Sequence, residues 1–141
     1  MFIAYNKVRI HDTDLAGILY FARIYRFAHD ALEDFFSHEG LHFKDLFNES
    51  RDFAFVIVHS EADYKVSLTI GDELEVHVDV HHIGNSSFTL EYLIYRIQDH
   101  VLTGTVKTIH VAIDPKTRKK MAIPLYLKQI LHKHLKAKKE D

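Results

Sequence analysis

A chain of 141 residues with 47% hydrophobic and 27% charged side chains has the composition of a soluble globular protein, long enough to bury a core as one domain, 1–141. A formal net charge of −2 with histidine neutral gives no global attraction for nucleic acid. With no cysteine, disulfides, thiolate zinc sites and a cysteine nucleophile are excluded.

Residues Phe2 to His11 carry Ile3, Tyr5, Val8 and Ile10 in imperfect alternation and predict a first strand. Its apolar stretch is too short for a signal peptide. The longest apolar block, Phe53 to Val58, is far below bilayer length, so the expectation is a soluble cytoplasmic protein with no membrane partner. Asp12 to Gly17 breaks the alternation with turn formers. From Phe21 onward Ile24, Tyr25, Ala28, Ala31, Leu32, Phe35 and Phe36 recur at three and four, with Arg23, Arg26, Asp30, Glu33 and Asp34 between them. That spacing predicts a helix of about four or five turns, which Gly40 is placed to end. Leu41 to Asp52 reads as an irregular connection with a short helical turn.

The segments Phe53–Leu68, Glu73–Ile83, Ser87–Gln98 and Leu102–Asp114 are rich in β formers and separated by turn signals. Consecutive strands with short turns predict antiparallel meander pairing. Pro124 then opens a last helix, Leu125 to about Lys136. The order of strand, long helix, four strands and short helix predicts an α+β domain whose sheet wraps the helix. Sheet edges left over make dimerisation through them the natural outcome.

The run His11 to Phe36 carries the chemistry. It sets one carboxylate, Asp14, beside a helix N-terminus, whose free N–H groups polarise a carbonyl or hold an oxyanion. That pairing suits hydrolysis of an activated ester. The bland alternative is that Asp14 caps the helix or accepts turn N–H bonds. Asp12 reads as the structural acid of the turn. The pairs His81–His82 and His132/His134 lack acidic or thiol companions at metal-ligand spacing, so no metal site is expected. No G-x-S-x-G pattern marks a serine nucleophile.

The block DTDLAG–ILYFA–IY, the later HSEADYKVSLTIGDELEV and the IGNSSFTLEY segment together resemble the hotdog-fold acyl-CoA thioesterases of the 4-hydroxybenzoyl-CoA thioesterase group. The resemblance runs from about Val8 to Pro124. Within the group, LYFAR and the following His-Asp-Ala are most similar to 1,4-dihydroxy-2-naphthoyl-CoA hydrolases. The short-chain, Tol-Pal-associated thioesterases typically read Tyr-His-Ala-Asn-Tyr, where this chain has Phe21 in place of His and Arg23-Ile24 in place of Asn-Tyr.

The resemblance implies a hotdog fold with a five-stranded antiparallel sheet around the long helix. It makes Asp14 the catalytic carboxylate, as nucleophile or as general base, and the Phe21 N–H the group that polarises the thioester carbonyl. Gly17 then lets the turn approach the ligand. His29 matches the position that faces a substrate ring hydroxyl, and Phe21, Tyr25 and His29 step by four along one helix face. Tyr20 reads equally as core or pocket wall and as a contact with the acyl group. His59 and Ser60 fall in the strand that lines the pocket in relatives, or simply face water. Asn85, Ser86 and Ser87 occupy the turn where relatives often carry basic residues for the coenzyme A phosphates, although hairpin formation explains Gly84-Asn85 alone. The late basic residues, Lys116, Arg118, Lys119, Lys120, Lys133, Lys136, Lys138 and Lys139, read as a solvated hairpin tip and helix end, or as help for those phosphates.

The implied partners are an acyl-CoA substrate and further copies of the chain, as a dimer or tetramer with the pocket between subunits. Coenzyme A enters only as part of the substrate, and no separate cofactor is expected. The expected activity is hydrolysis of an aryl- or naphthoyl-CoA thioester. The rivals are a short- or medium-chain aliphatic thioesterase, and a non-catalytic hotdog protein that binds acyl-CoA or an acyl carrier.

Overall fold

The computed structural model describes residues 1–46 and 52–136. Five strands, β1 (Phe2–Lys7), β2 (Ala54–Tyr64), β3 (Glu73–Ile83), β4 (Ser87–Arg96) and β5 (Val101–Ile113), form one antiparallel sheet in the order β1-β3-β4-β5-β2. Among the described residues three α-helices accompany it: the long α1 (Ile24–His38), the single turn α2 (Phe43–Leu46) and the short α3 (Leu125–Lys133). The expected α+β architecture is what the chain forms.

The helix α1 lies on the sheet through Ile24, Phe27, Ala28, Ala31, Leu32, Phe35 and Phe36, all buried at the spacing of one apolar stripe. Phe27, which the spacing had left outside that stripe, is fully buried, whereas Tyr25 is only half-buried. The sheet answers with Leu74, Val76, Val78 and Val80 of β3 and Phe88, Leu90, Tyr92 and Ile94 of β4, in strict alternation. Gly40 ends α1 at φ +84, and Leu41 N–H returns to the Phe36 carbonyl at 2.8 Å, the bonding of a Schellman cap.

Three expectations need correction. The meander holds for β3–β4–β5, but β2 does not pair with β3; it crosses the end of the sheet and pairs with β5 at the opposite edge. The crossing segment is pinned on the way, with Leu19 N–H on the Leu68 carbonyl at 2.8 Å and Gly71 N–H on the Val8 carbonyl at 2.9 Å. The first strand stops at Lys7 rather than His11, because the Asp12 carboxylate accepts the Arg9 N–H at 2.8 Å and turns Ile10–Asp12 into a 3-10 turn. The last helix stops at Lys133, and Leu135 then bridges in parallel to Val80. Residues 47–51 of the irregular connection and Lys138 and Lys139 of the basic tail lie outside the described residues.

Candidate active site

The turn before α1 is built around two aspartates with opposite surroundings. Asp12 is fully buried, and its carboxylate takes a two-pronged bond from the Arg26 guanidinium, with Nε at 2.7 Å from Oδ1 and Nη2 on Oδ2. Burial pushes the Asp12 carboxyl up, but the hydrogen bonds and charge of Arg26, with the Arg9 N–H, outweigh it and hold the group below the usual carboxylate range. Arg26 also reaches Asp30 Oδ2 at 2.9 Å, Asn6 Oδ1 at 3.2 Å and the Lys7 carbonyl at 3.0 Å. One side chain of α1 thus ties together β1, the turn and the helix. The periodic pattern had placed Arg26 merely on the polar face of the helix; its four partners are spread too far along the chain to be read from spacing.

Asp14 is exposed. Its Oδ1 accepts the Ala16 N–H at 2.8 Å, its own N–H meets the Ile18 carbonyl at 3.0 Å, and Gly17 at φ +77 closes the loop with N–H on the Asp14 carbonyl at 3.0 Å. A left-handed residue is required at this point, so Gly17 has a structural reason to be glycine. The helix then opens through a 3-10 turn, Phe21–Arg23, with Tyr20 at its N-cap position and no side-chain cap bond there. The Tyr64 hydroxyl donates to the Phe21 carbonyl, which fixes the turn against β2. The Tyr20 and Phe21 rings touch, 4.9 Å between centroids, and remain 46% and 63% exposed.

One helical turn further on, a cleft opens between α1 and the β2–β5 edge. Its two lobes have volumes of about 410 and 440 Å³ and share His29, Leu32, Ile57 and His110. The lobe near the helix start adds Tyr25, Ser60, Tyr92 and Thr108. The other lobe is walled by Phe43, Phe53 and Phe55, with Arg118 at its rim. Tyr25, His29 and Ser60, all expected site residues, are therefore brought together. Asp14, Gly17, Tyr20 and Phe21 sit on the turn before the helix and do not line the cleft of the single chain.

A bulge in β2 lies between Ile57 and His59. Ile57 pairs with His110 and His59 with Ile109, so the register slips by one residue at Val58. Ile57 and Ser60 consequently both face the cleft, across from His110 and Thr108. His59 does not line it, and its Nε2 lies 3.6 Å from Glu61 Oε1. Asn85, Ser86 and Ser87 form the β3–β4 hairpin away from the cleft lining. Their backbone is occupied there: the Ser86 carbonyl accepts Ala112 N–H at 2.8 Å, and the Asn85 carbonyl accepts Ile123 N–H at 2.9 Å. Ser86 is buried, whereas Asn85 is exposed.

Sequence reasoning missed the floor of the cleft. His110 is 2% exposed, stacked on Phe88 at 4.8 Å, with its Nε2 2.8 Å from Thr108 Oγ1. Thr108 in turn meets the Tyr92 hydroxyl at 3.2 Å. Burial, with the neighbouring His29 charge, pushes His110 down to about 4, so the ring is neutral at pH 7. Burial also pushes the Tyr92 phenol up, and it stays protonated. The available signal was the inward phase of β5, where Val106, Thr108, His110 and Ala112 alternate; two polar residues on a core-facing phase mark a wall that meets something other than core. Among the described residues no group of acidic, histidine or cysteine side chains could hold a metal ion, and no helix is long and apolar enough to cross a membrane.

Comparison with known proteins agrees with this architecture. Residues 8–135 match the thioesterase-like superfamily. A 1,4-dihydroxy-2-naphthoyl-CoA hydrolase of Prochlorococcus marinus is 33% identical over 133 residues, covering 90% of this chain and 84% of that protein. A protein of the same name from Gloeothece citriformis is 33% identical over 125 residues, covering 88% and 87%. Among solved structures, a 1,4-dihydroxy-2-naphthoyl-CoA thioesterase from Synechocystis superposes with a TM-score of 0.86 at 28% identity, over 93% of this chain and 95% of that one. With the helix-wrapping five-stranded sheet and the matched span in agreement, the chain belongs to the thioesterase-like superfamily and is a thioester hydrolase of the hotdog fold.

Proposed function

We propose that this protein hydrolyses an acyl-CoA thioester with an aromatic acyl group, of which a 1,4-dihydroxy-2-naphthoyl group is the best fit. The observation that carries the reading is the cleft along α1, which starts one helical turn past Phe21 and combines aromatic walls with two imidazoles. Flat aromatic walls suit a ring system, and a few polar groups on an apolar lining suit orientation of its substituents. The names of the relatives in Prochlorococcus, Gloeothece and Synechocystis point the same way.

In this reading the thioester carbonyl lies at the uncapped start of the helix, where the Phe21 N–H and the helix dipole polarise it. Asp14, exposed on the turn before that start, either attacks the carbonyl to give a mixed anhydride or takes the proton of an attacking water. Label found in the Asp14 carboxylate after turnover in ¹⁸O-water identifies the anhydride route with water attacking the aspartyl carbonyl, since the general-base route leaves that carboxylate unlabelled. Coenzyme A leaves as a stable thiolate, so the reaction calls on neither a metal nor a separate cofactor. His29 and Tyr25 contact the acyl group, Ser60 the cleft wall, and Asn85 and Ser87 offer donors to the coenzyme A phosphates.

The site is completed by a second copy of the chain. Strand β2 is one of the two outer strands of the sheet, and its Val56, Ile57 and Val58 are 39%, 50% and 59% exposed. Beside the turn, Leu15, Ile18 and Phe21 are exposed as well. An apolar edge of this length without lysine or proline guards is a pairing surface. Thiol release from a panel of naphthoyl-, benzoyl- and aliphatic-CoA thioesters tests the substrate class. The expected result is a higher kcat/KM for the aromatic members; preference for aliphatic thioesters would contradict it.

A further inference from the structure

The proposed reaction needs Asp14 and the helix start, and it leaves the buried chain Tyr92–Thr108–His110 without a role. These three side chains project from adjacent positions on β4 and β5 toward the cleft, and all three line the lobe nearest the helix start. A packed core would be expected to carry apolar residues there, since burying a hydroxyl or imidazole is unfavourable without a partner. Each group has a partner within the chain: Tyr92 with Thr108 at 3.2 Å, and Thr108 with His110 Nε2 at 2.8 Å. Thr108 engages one ring nitrogen and leaves Nδ1 as the other, on a ring that forms part of the cleft lining.

Two further features narrow what such a group recognises. The ring is held flat against Phe88, 6° from parallel, so its direction is fixed before anything binds. It is also neutral at pH 7, because burial disfavours the imidazolium. A neutral imidazole suits a neutral hydroxyl better than a carboxylate or phosphate, which a cation would hold more strongly. A hydroxyl both donates and accepts, so it bonds to Nδ1 in either tautomer.

We infer that His110, oriented by Thr108 and Tyr92, determines specificity by hydrogen-bonding a hydroxyl substituent on the aromatic acyl group, across the cleft from His29. This assignment rests on the aryl-thioester reading above and adds a second hydroxyl contact to the one assigned to His29. Thr108 and Tyr92 act as positioning residues, because their hydroxyls are engaged with each other and with the ring.

The test compares kcat/KM for 2-naphthoyl-CoA and its 1-hydroxy, 4-hydroxy and 1,4-dihydroxy derivatives, in the full-length wild type, His110→Phe and Thr108→Val. Wild type is expected to favour the hydroxylated thioesters. In His110→Phe that preference, read as the ratio of kcat/KM to that for 2-naphthoyl-CoA in the same variant, falls by about 10- to 100-fold for at least one hydroxyl position, the range of one buried hydrogen bond. Thr108→Val, close to isosteric, shows a smaller loss in the same preference and carries the test if His110→Phe fails to fold. Equal losses on all four thioesters, or an unchanged preference in a folded variant, would overturn the inference. Wild type that turns over all four without preference would overturn it too and leave the aryl-thioesterase reading standing. Wild type that turns over none of them would remove that reading and the inference together.

Discussion

At the scale of single residues, the two aspartates of one turn have opposite surroundings. Asp12 is buried and locked to Arg26, while Asp14 two positions on is exposed and makes only local turn bonds. The turn pattern itself suggested Asp12 as the structural acid, which its burial against Arg26 matches, whereas the assignment of chemistry to Asp14 came from the family resemblance. His110 was not legible in the same way. On β5 the larger aliphatic residues, Ile109, Val111 and Ile113, occupy the phase opposite Thr108 and His110, so hydrophobicity points to the wrong face. Its burial has a consequence in solution. A histidine held near 4 when folded and at 6.5 when unfolded binds its proton only in the unfolded chain between those values, so stability falls as pH drops from about 6.5 to about 4. By pH 5 the loss from this group is on the order of 2 kcal/mol. Urea melts at pH 7 and pH 5 should show a shallower pH dependence in His110→Phe than in wild type; equal dependence would contradict the assignment.

At the scale of elements, helix α1 and the β3–β4–β5 meander were legible because their signals are local. Periodicity set the helix, Gly40 its end, and turn residues the two hairpins. The place of β2 was not legible, since its pairing with β5 is decided by partners some fifty residues away in sequence rather than by its own turns. Nor was the Val58 bulge, which decides that Ser60 and not His59 faces the cleft. Gly104 belongs to this scale too. A Cβ there would sit 2.9 Å from Ile24 Cδ1 and 3.0 Å from the Asp63 carbonyl oxygen, so glycine is what lets the start of α1 approach the sheet. Gly104→Ala is expected to destabilise the protein by about 1–3 kcal/mol, the usual range for overpacking, in thermal or denaturant melts. An unchanged melting point would show that the helix start has room to move.

At the scale of the whole molecule, the single chain offers a cleft without Asp14 in its lining and an apolar edge without a partner strand. In the proposed dimer, β2 pairs with β2 of a second copy, which would cover the edge and set a second α1 against the cleft. Val58→Lys places a charge on that edge, where Val58 is 59% exposed in the single chain and not part of its core. Sedimentation should shift from dimer toward monomer, with loss of turnover; an active wild-type monomer would contradict the shared site.

The central claim is that Asp14 performs the chemistry at a helix start that holds the oxyanion. It is tested most directly by thiol release from 1,4-dihydroxy-2-naphthoyl-CoA with wild type and Asp14→Asn side by side, with melting curves run on both. Because Asp14 is exposed and accepts a single turn N–H through its side chain, Asn is expected to leave the fold intact. The expected result is a loss in kcat on the order of 10²–10⁴-fold at nearly unchanged melting temperature. A folded Asp14→Asn that retains wild-type kcat would contradict the account.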